Sequence, residues 1–291
     1  MHSHHSHSGQ FCRHAKGTLS EVAEAAILKG FSVYGLTEHA PRYRQQDLYP
    51  EEVNGNVTYV SISRLSADNM NFQVDLSTED LSSTFDSFID EAHRVCAQHS
   101  SLSTTFLVGL ETDYITKLDL QMTDKLLVKH GDRIDYIVGS VHHVNEIPID
   151  FDKTTFERAL SSFKEADASD STSSTSFGPT ISHEYRGLVV SYLDSQYILM
   201  QELHPEIVGH FDLFRLYNPS IVFSATSTPS IWERITRNVR YGIEYGALFE
   251  VNTAAFRKGW DTGYPGQEIA LVSVPRPYHH PLSHVAELGT L

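Results

Sequence analysis

Cysteine is scarce in this sequence, and positively charged residues are outnumbered. Cys12 and Cys96 are the only cysteines among the 291 residues, so a disulfide framework is excluded and both are predicted to be reduced thiols. The 22 lysines and arginines stand against 37 acidic residues, which gives a formal net charge of -15. Because a phosphate backbone is bound mainly by lysine and arginine, this balance argues against nucleic acid as a partner. Any phosphorylated substrate is expected to be small.

Long apolar runs and targeting signals are also missing. No uninterrupted apolar stretch approaches the roughly 20 residues that span a bilayer. The N-terminus has no basic region followed by an apolar core, and it is poor in arginine, so neither a secretory signal nor a transit peptide is predicted. We therefore expect a cytoplasmic protein with no membrane partner. The sequence does not indicate an oligomeric state.

What is present is an ordinary globular composition, with 40% hydrophobic and 20% charged residues. A chain of this length can form one large α/β domain or two smaller ones, and barrels of about 250 residues form a single domain. We predict one domain over residues 1–266. Residues 165–182 are rich in serine and threonine, and we interpret them as a flexible surface insertion in that domain.

Histidine is concentrated at the N-terminus, where five occur within the first 14 residues. The two histidines of an H-x-H pair point to the same side of an extended strand, and neutral imidazole is the commonest protein metal ligand. A purification tag or a disordered tail is the alternative. However, a capping box at Thr18 and Glu21 follows at once, and Gly30 marks the end of a helix. We therefore interpret the histidines as attached to the core. Cys12 could be a further ligand, although a buried apolar role is favoured.

Short apolar strands, each ending in a titratable or metal-binding residue, recur along the chain. They are predicted at residues 31–36, 105–110, 134–138, 207–208 and 248–251. Helical spacing is found between them, notably at residues 85–96, 187–203 and 230–245, whereas residues 41–80 are interpreted as a long connection. Alternating strands and helices predict an α/β barrel with a parallel sheet, in which the residues that follow the strands converge on one face.

The polar residues at the strand ends form a candidate metal-binding set. They are His5, His7, His14, His39, Glu111, His142 and His210. Nitrogen ligands with one carboxylate suit zinc, manganese or iron better than calcium or magnesium. A single buried histidine is more often a hydrogen-bonded core residue, but so many at successive strand ends favour a metal site. Glu111 is placed to bridge two ions, which predicts metal-assisted hydrolysis.

Several neighbouring residues have candidate supporting roles. Glu38 and Asp212 each lie next to a proposed ligand and could orient it by hydrogen bonding. His143 also follows a proposed ligand, but adjacent strand residues face opposite ways, so we predict a surface or packing position. Arg257 and Lys258 follow a strand end and could bind phosphate. A solvated charge is the favoured interpretation of Lys258, and the two interpretations of Arg257 are equally supported.

The motifs of the chain resemble those of the histidinol-phosphatases of the polymerase and histidinol phosphatase (PHP) superfamily, most of all the fungal enzymes. They are H-S-H-H-S-H-S-G, F-C-R-H, K-G-F, L-T-E-H-A-P, G-L-E-T-D-Y, D-Y-I-V-G-S-V-H-H-V, I-V-G-H-F-D-L and F-E-V-N-T-A-A-F-R-K-G-W. The resemblance extends from residue 1 to about residue 266. It implies a distorted (β/α)7 barrel that holds a trinuclear metal centre.

The resemblance also implies a substrate and a set of roles. The reaction would be hydrolysis of L-histidinol phosphate to L-histidinol and phosphate in histidine biosynthesis, with two or three divalent ions as cofactors. Each of the seven strand-end residues would be a metal ligand. Glu111 and His142 would be catalytic, and Arg257 would contact the substrate. Arg42 lies close to the T-E-H turn at residues 37–39 and is a further candidate for substrate binding. His2 and His4 remain an alternative to the H-x-H pair.

One expected motif is missing. The family ends with a strand of the form S-D-D-S-H, whereas residues 267–291 contain no aspartate and form a divergent tail in which only Ser283 and His284 resemble the motif. We therefore predict a barrel that is incomplete at its last strand and a metal centre that is short of at least one carboxylate. A catalytically impaired metal-binding paralogue or a truncated variant is the alternative function. A PHP-type nuclease is a third, which the acidic charge disfavours.

Overall fold

A computed structural model describes residues 1–53, 76–164, 181–257 and 259–273 of the chain. In chain order its strands are β1 (His2–Ser3), β2 (Val33–His39), β3 (Thr105–Glu111), β4 (Tyr136–Gly139), β5 (His143–Val144), β6 (Ile147–Pro148), β7 (Ile207–Val208) and β8 (Leu248–Phe249). Its helices are α1 (Leu19–Leu28), α2 (Pro50–Val53), α3 (Thr78–Gln98), α4 (Lys117–His130), α5 (Lys153–Ser161), α6 (His183–Leu203), α7 (Pro229–Tyr245), α8 (Ala254–Arg257) and α9 (Gln267–Ser273).

Six parallel strands form one curled sheet in the order β1-β2-β3-β4-β7-β8, and β5 and β6 form a separate antiparallel hairpin. The sheet has the form of a half-barrel. No further strand joins β8 in the sheet within the described ranges. The prediction of an α/β barrel that is incomplete at its last strand is therefore confirmed. Each of the five strands predicted from the sequence overlaps a strand of this sheet.

The two halves of the sheet are covered by different helices. Helices α1 and α3 bury one apolar stripe each, which includes Leu19 and Phe88, and pack with β2 and β3. Helices α6, α7 and α9 form the larger core cluster, which includes Tyr192, Ile235 and Ile269. No helix in the described part of the chain combines the length and apolarity that crossing a bilayer requires.

The first helix forms as its capping signals predict. The Thr18 hydroxyl accepts a hydrogen bond from the backbone N–H of Glu21, and the Glu21 carboxylate accepts one from the backbone N–H of Thr18. Gly30 follows the end of the helix with a φ of +73°, a conformation that glycine adopts without steric cost. This helix returns the chain from the histidine-rich segment to β2, so both lie at the same edge of the sheet.

Tyr136 ties the N-terminal segment to the sheet. Its ring lies against Gly35 and Gly109, where a Cβ atom would come within 1.8 Å and 2.7 Å of Tyr136 atoms, so larger residues are excluded at both positions. The Tyr136 hydroxyl donates a hydrogen bond of 2.6 Å to the carbonyl of His4. The backbone that carries the first histidines is therefore held against strands β2 to β4.

The connections differ from the sequence predictions in several places. Helices α4 and α5 were not predicted, and the buried face of α4 includes the polar residues Asp119, Thr123 and His130. Helix α3 begins at Thr78, capped by Ser77, so the predicted connection over residues 41–80 is shorter and also contains α2. Its central part, residues 54–75, lies outside the described residues.

Two other predicted segments are described only in part. Most of the proposed insertion, residues 165–180, lies outside the described residues, and Ser182 at its end is the N-cap of α6. The C-terminal segment begins with α9, whose Ile269 is fully buried against the main core. The remainder, residues 274–291 with Ser283 and His284, lies outside the described part of the chain.

Candidate metal centre

The proposed ligands converge at the carboxyl ends of the parallel strands. His39 and Glu111 are the last residues of β2 and β3, and the strand register places them side by side. His142 follows β4 by three residues, and His210 follows β7 by two. Parallel strands end at the same edge, so residues that are distant in the sequence meet there. The structure thus brings the predicted set together.

Glu111 lies at the centre of the set and is 1% exposed. Its Oε2 atom lies 3.1 Å from His5 Nε2, 3.0 Å from His7 Nε2 and 3.1 Å from His39 Nδ1. Its Oε1 atom lies 3.3 Å from His142 Nε2 and 3.1 Å from His210 Nε2. The carboxylate therefore stands between two groups of imidazoles, with one oxygen turned toward each group.

The geometry around Glu111 suits a bound divalent cation. Although three imidazole nitrogens lie near its Oε2 atom, none is aligned to make a hydrogen bond with it. The Nε2 atoms of His5 and His7 lie 3.1 Å apart, and so do those of His142 and His210. Nitrogen lone pairs at such distances repel one another unless a proton or a metal ion lies between them. The donor set of imidazoles and one carboxylate is typical of zinc and similar ions.

Electrostatics keeps two of these groups in the form that binds metal. Burial alone would raise the pKa of Glu111, but the nearby imidazoles of His5, His39 and His142 hold that pKa well below its usual value. Burial and the neighbouring His7 lower the pKa of His39 well below 6.5. The bridging carboxylate is therefore ionised and His39 is neutral, as metal coordination requires.

A second layer of carboxylates orients the imidazoles. Glu38 Oε2 lies 3.1 Å from His7 Nδ1, and the other Glu38 oxygen accepts hydrogen bonds from the backbone N–H and hydroxyl of Ser8. Glu38 therefore contacts a proposed ligand, but this ligand is His7 and not the adjacent His39. A carboxylate held in this way fixes the ring tautomer and orientation of the imidazole that it contacts.

Glu250 makes an equivalent contact that was not predicted. Its Oε1 atom lies 3.1 Å from His5 Nδ1, and its Oε2 atom accepts a 2.8 Å hydrogen bond from the backbone N–H of His210. Burial alone would raise its pKa, but His5 and His210 lower it to about 2. Glu250 directly follows β8, but the predicted strand extended to residue 251 and so placed Glu250 inside it.

Asp113 supports the other group of imidazoles. Its Oδ1 atom lies 3.0 Å from His143 Nδ1 and 3.4 Å from His142 Nδ1. His143 is 3% exposed and stacks on Tyr49, so of the two predicted positions the packing one is correct. Arg42 is buried beside Asp113, with 3.8 Å between Arg42 Nη1 and Asp113 Oδ2.

Asp212 does not orient a proposed ligand, contrary to the expectation from its position. It accepts hydrogen bonds from Arg215 Nη1 at 3.0 Å and from the backbone N–H of Gly266 at 2.8 Å. The chain turns into a 3-10 helix, Leu213–Arg215, immediately after Asp212, and this turn directs the side chain away from the histidines. Asp212 belongs to a separate buried charged cluster.

His14 lies at the outer end of the set. Its Nε2 atom is 3.4 Å from His39 Nε2 and 3.0 Å from the sulfur of Cys12, whose thiol can donate to it. The opposite ring nitrogen lies 3.2 Å from Glu51 Oε1. Ligand atoms of His7, Cys12 and His39 also lie close enough together to hold an ion. Both cysteines are free thiols, and Cys12 is buried.

The alternative histidine pair lies elsewhere. His2 is exposed, and its ring contacts that of His4, which packs edge-on against Tyr136. Neither belongs to a group of side chains around Glu111 that could hold an ion. Side-chain alternation explains why His5 and His7 face Glu111. Ser6 points toward β2 and hydrogen-bonds to Gly35 O, whereas the residues on either side of it face the carboxylate.

A cavity of about 850 Å³ opens over the histidines. Arg257 is exposed and lines it, whereas Lys258 lies outside the described residues. Arg42 does not line it and instead pairs with Glu52, with its guanidinium 4.5 Å from the ring centroid of Tyr49. Of the two arginines predicted to contact substrate, Arg257 therefore has the more accessible charge.

Comparison with known proteins gives consistent matches. The model of the PHP domain family matches residues 3–254. The chain is 40% identical over 268 residues to a protein of Schizosaccharomyces pombe named probable histidinol-phosphatase, covering 92% of this chain and 74% of that protein. It is 29% identical over 290 residues to the histidinol-phosphatase of Saccharomyces cerevisiae, covering 92% of this chain and 77% of that enzyme.

Proposed function

This chain belongs to the PHP domain family, and we propose that it is a metal-dependent phosphomonoesterase that hydrolyses L-histidinol phosphate to L-histidinol and phosphate. The names of its two relatives support this substrate. The observation that carries the proposal is the buried carboxylate of Glu111, which is surrounded by five imidazoles beneath an open cavity. We further propose a role in histidine biosynthesis in the cytoplasm.

The proposed metal ligands are the seven strand-end residues. They are His5, His7, His14, His39, Glu111, His142 and His210. Two groups that share Glu111, one with His5 and His7 and one with His39 and His142, support the proposal of at least two ions. The third group, with Cys12, supports another position beside His14. Zinc, manganese and iron are the candidate ions, because imidazole nitrogen dominates the donor set.

Divalent cations bound here would neutralise negative charge on the phosphoryl group and make a water molecule more acidic. Glu111 and His142 are the proposed catalytic residues, since both line the cavity and would contact the ions. Arg257 is placed to pair with phosphate oxygens at the cavity wall. Arg42 is already paired with Glu52, so we propose that it positions Asp113 and, through it, His142.

A catalytically impaired metal-binding relative is the second candidate function. The S-D-D-S-H motif was not found in the sequence, and the prediction of a missing carboxylate stays a prediction because residues 274–291 are outside the described part of the chain. A nuclease of the PHP type is disfavoured by the net charge of -15.

The test is phosphate release from L-histidinol phosphate by the purified chain, with metal content measured in parallel. Arg257→Ala is expected to raise KM severalfold without changing the metal content, and Arg158→Ala on the exposed side of α5 serves as the control. Bound metal without turnover would favour the impaired relative. Salt-sensitive binding of single-stranded DNA would favour the nuclease.

A further inference from the structure

Asp150 is held at the wall of the cavity, next to a proposed metal ligand. It follows the β5–β6 hairpin, and the backbone N–H of the preceding Ile149 donates a 2.9 Å hydrogen bond to the carbonyl of His142. The Ile149 side chain is fully buried, so both its packing and this hydrogen bond hold the backbone next to Asp150 in place. The Asp150 side chain lines the same cavity as Glu111 and Arg257.

The carboxylate of Asp150 has no partner among the described residues. Its Oδ1 atom is buried and accepts no hydrogen bond, and no described cation forms an ion pair with it. The other acidic residues that line the cavity, Glu51, Glu111 and Glu250, each contact at least one histidine. A buried carboxylate oxygen without a partner is costly, so its presence at a cavity points to a partner that arrives with a ligand.

The surroundings of Asp150 suit a cation. Tyr49 and Phe151 line the cavity beside it, and their rings stack with centroids 5.9 Å apart. Burial, Asp113 and Asp150 together raise the pKa of Tyr49 well above its usual value, so Tyr49 is a neutral phenol beside the carboxylate. The carboxylate attracts an ammonium group and repels phosphate.

We propose that Asp150 binds an ammonium group on the alcohol part of the substrate, while the phosphoryl group faces the histidines. This inference rests on the proposed phosphomonoesterase function and narrows its substrate class to small phosphomonoesters whose alcohol carries an ammonium group. L-histidinol phosphate belongs to this class, and neutral alkyl or aryl phosphates do not. Asp150 is thus a residue that determines specificity.

The experiment compares Asp150→Asn with the wild-type chain on three substrates. L-histidinol phosphate and O-phosphorylethanolamine carry an ammonium group, and p-nitrophenyl phosphate does not. Asp150→Asn should lower kcat/KM for the first two by about tenfold to a hundredfold, the range of a lost charged hydrogen bond, and change the third by less than about twofold. Asp150→Glu should restore part of the loss.

Asp152→Asn is the matched control, because Asp152 is exposed and caps α5 by accepting a hydrogen bond from the backbone N–H of Thr155, a role that asparagine also fills. Asp152→Asn should leave kcat/KM unchanged for all three substrates. Thermal unfolding of each variant checks that the fold is intact. An equal loss on all three substrates, or no loss on any, would overturn the proposed role of Asp150.

Calorimetric binding of L-histidinol and of inorganic phosphate separates this inference from the proposed function. Asp150→Asn should weaken L-histidinol binding at least about tenfold and leave phosphate binding unchanged. If the wild-type chain hydrolyses none of the substrates, the phosphatase proposal fails, but this binding difference still supports the Asp150 site. If both proteins bind L-histidinol equally, or neither binds it, the Asp150 proposal is wrong.

Discussion

Two clusters of charged side chains lie in the interior of this domain, and they differ in the residue type that carries the positive charge. The histidine cluster consists of His5, His7, His39, Glu111, His142 and His210. The arginine cluster consists of Asp212, Arg215 and Glu268, where the Arg215 guanidinium reaches Asp212 at 3.0 Å, Glu268 at 3.5 Å and the carbonyl of Pro219 at 2.7 Å. Both are almost completely shielded from water around their central residues, Glu111 and Arg215.

The difference lies in where the positive charge comes from. Arginine is permanently charged and its planar donors match carboxylates, so the arginine cluster supplies its own cation and stabilises a packed fold. The guanidinium also lies 5.7 Å from the ring centroid of Trp260 and fills the space beside Gly266, where a Cβ atom would collide with it. The histidine cluster instead gathers imidazoles around one carboxylate, and its positive charge comes from protons or a metal ion taken up from solvent. A buried charged cluster thus indicates a ligand site when its own charges cannot satisfy one another.

The strongest test of this contrast is removal of the central carboxylate. Glu111→Gln should abolish metal binding between the two imidazole groups and reduce turnover by on the order of a thousandfold. The physical reason is that a neutral amide can neither bridge two cations nor balance their charge. Metal content of the purified protein and phosphate release provide the measurement. Glu24→Gln on the exposed side of α1 is the control, and a Glu111 variant with full metal content would contradict the bridging role.

The converse variant breaks the arginine cluster. Arg215→Ala should lower the free energy of unfolding by about 3–5 kcal/mol, because it leaves Asp212 buried without its counter-charge, while the metal content stays unchanged. Urea denaturation measures the loss. Arg94→Ala removes an exposed pair with Glu91 and should cost less than about 1 kcal/mol. Loss of metal in the Arg215 variant would show that the two clusters are not independent.

A smaller effect separates the supporting carboxylates of the two clusters. Glu250→Gln should weaken metal affinity about 10- to 100-fold, because Glu250 orients His5 and accepts from the backbone of His210. Glu268→Gln, its counterpart beside Arg215, should leave metal affinity unchanged. Metal titration compares the metal affinity of both variants with that of the wild-type chain. Equal affinities in all three proteins would show that the Glu250 contact does not support metal binding.

Metal binding should also depend on pH, because it displaces a proton. Burial lowers the pKa of His5, but the charges of Glu111 and Glu250 outweigh burial and raise it to about 10 in the metal-free chain. His5 is therefore protonated at neutral pH, and an ion must displace that proton in order to bind. Metal affinity should rise about tenfold per pH unit between roughly pH 7 and 9. Calorimetry in buffers of different protonation enthalpy should show about one proton released per ion, and no release would contradict the displacement.

Much of the candidate centre could be predicted because its residues share a local signature. Each of His39, Glu111 and His210 stands at or just beyond the end of a short apolar strand, and parallel strands must end together. Glu250 also directly follows its strand, but the predicted strand extended to residue 251 and so included Glu250. Asp113 has a weaker signal, since it lies two residues beyond β3 and its role depends on the hairpin that carries His143.

Other features have no local signature. Asp212 directly follows a buried strand end, as the proposed ligands do, yet a turn of 3-10 helix directs it to Arg215. Asp150 lies in an ordinary loop sequence, and only the cavity distinguishes it from Asp152 two residues later. Arg42 was assigned to substrate from its position, whereas its pairing with Glu52 depends on α2. These outcomes follow from side-chain directions and neighbours in space, which spacing along the chain does not encode.

The sequence by itself determined the α/β alternation, the edge of the sheet where the candidate site lies, and the types of residue found there. Strand ends and apolar periodicity are local properties of the chain. The tertiary structure decided which charges face one another. Whether a buried carboxylate meets an imidazole, a guanidinium or an open cavity depends on the curl of the sheet and on turns of one or two residues. For that reason the Glu111 carboxylate faces imidazoles, the Asp212 carboxylate faces a guanidinium, and the Asp150 carboxylate faces a cavity.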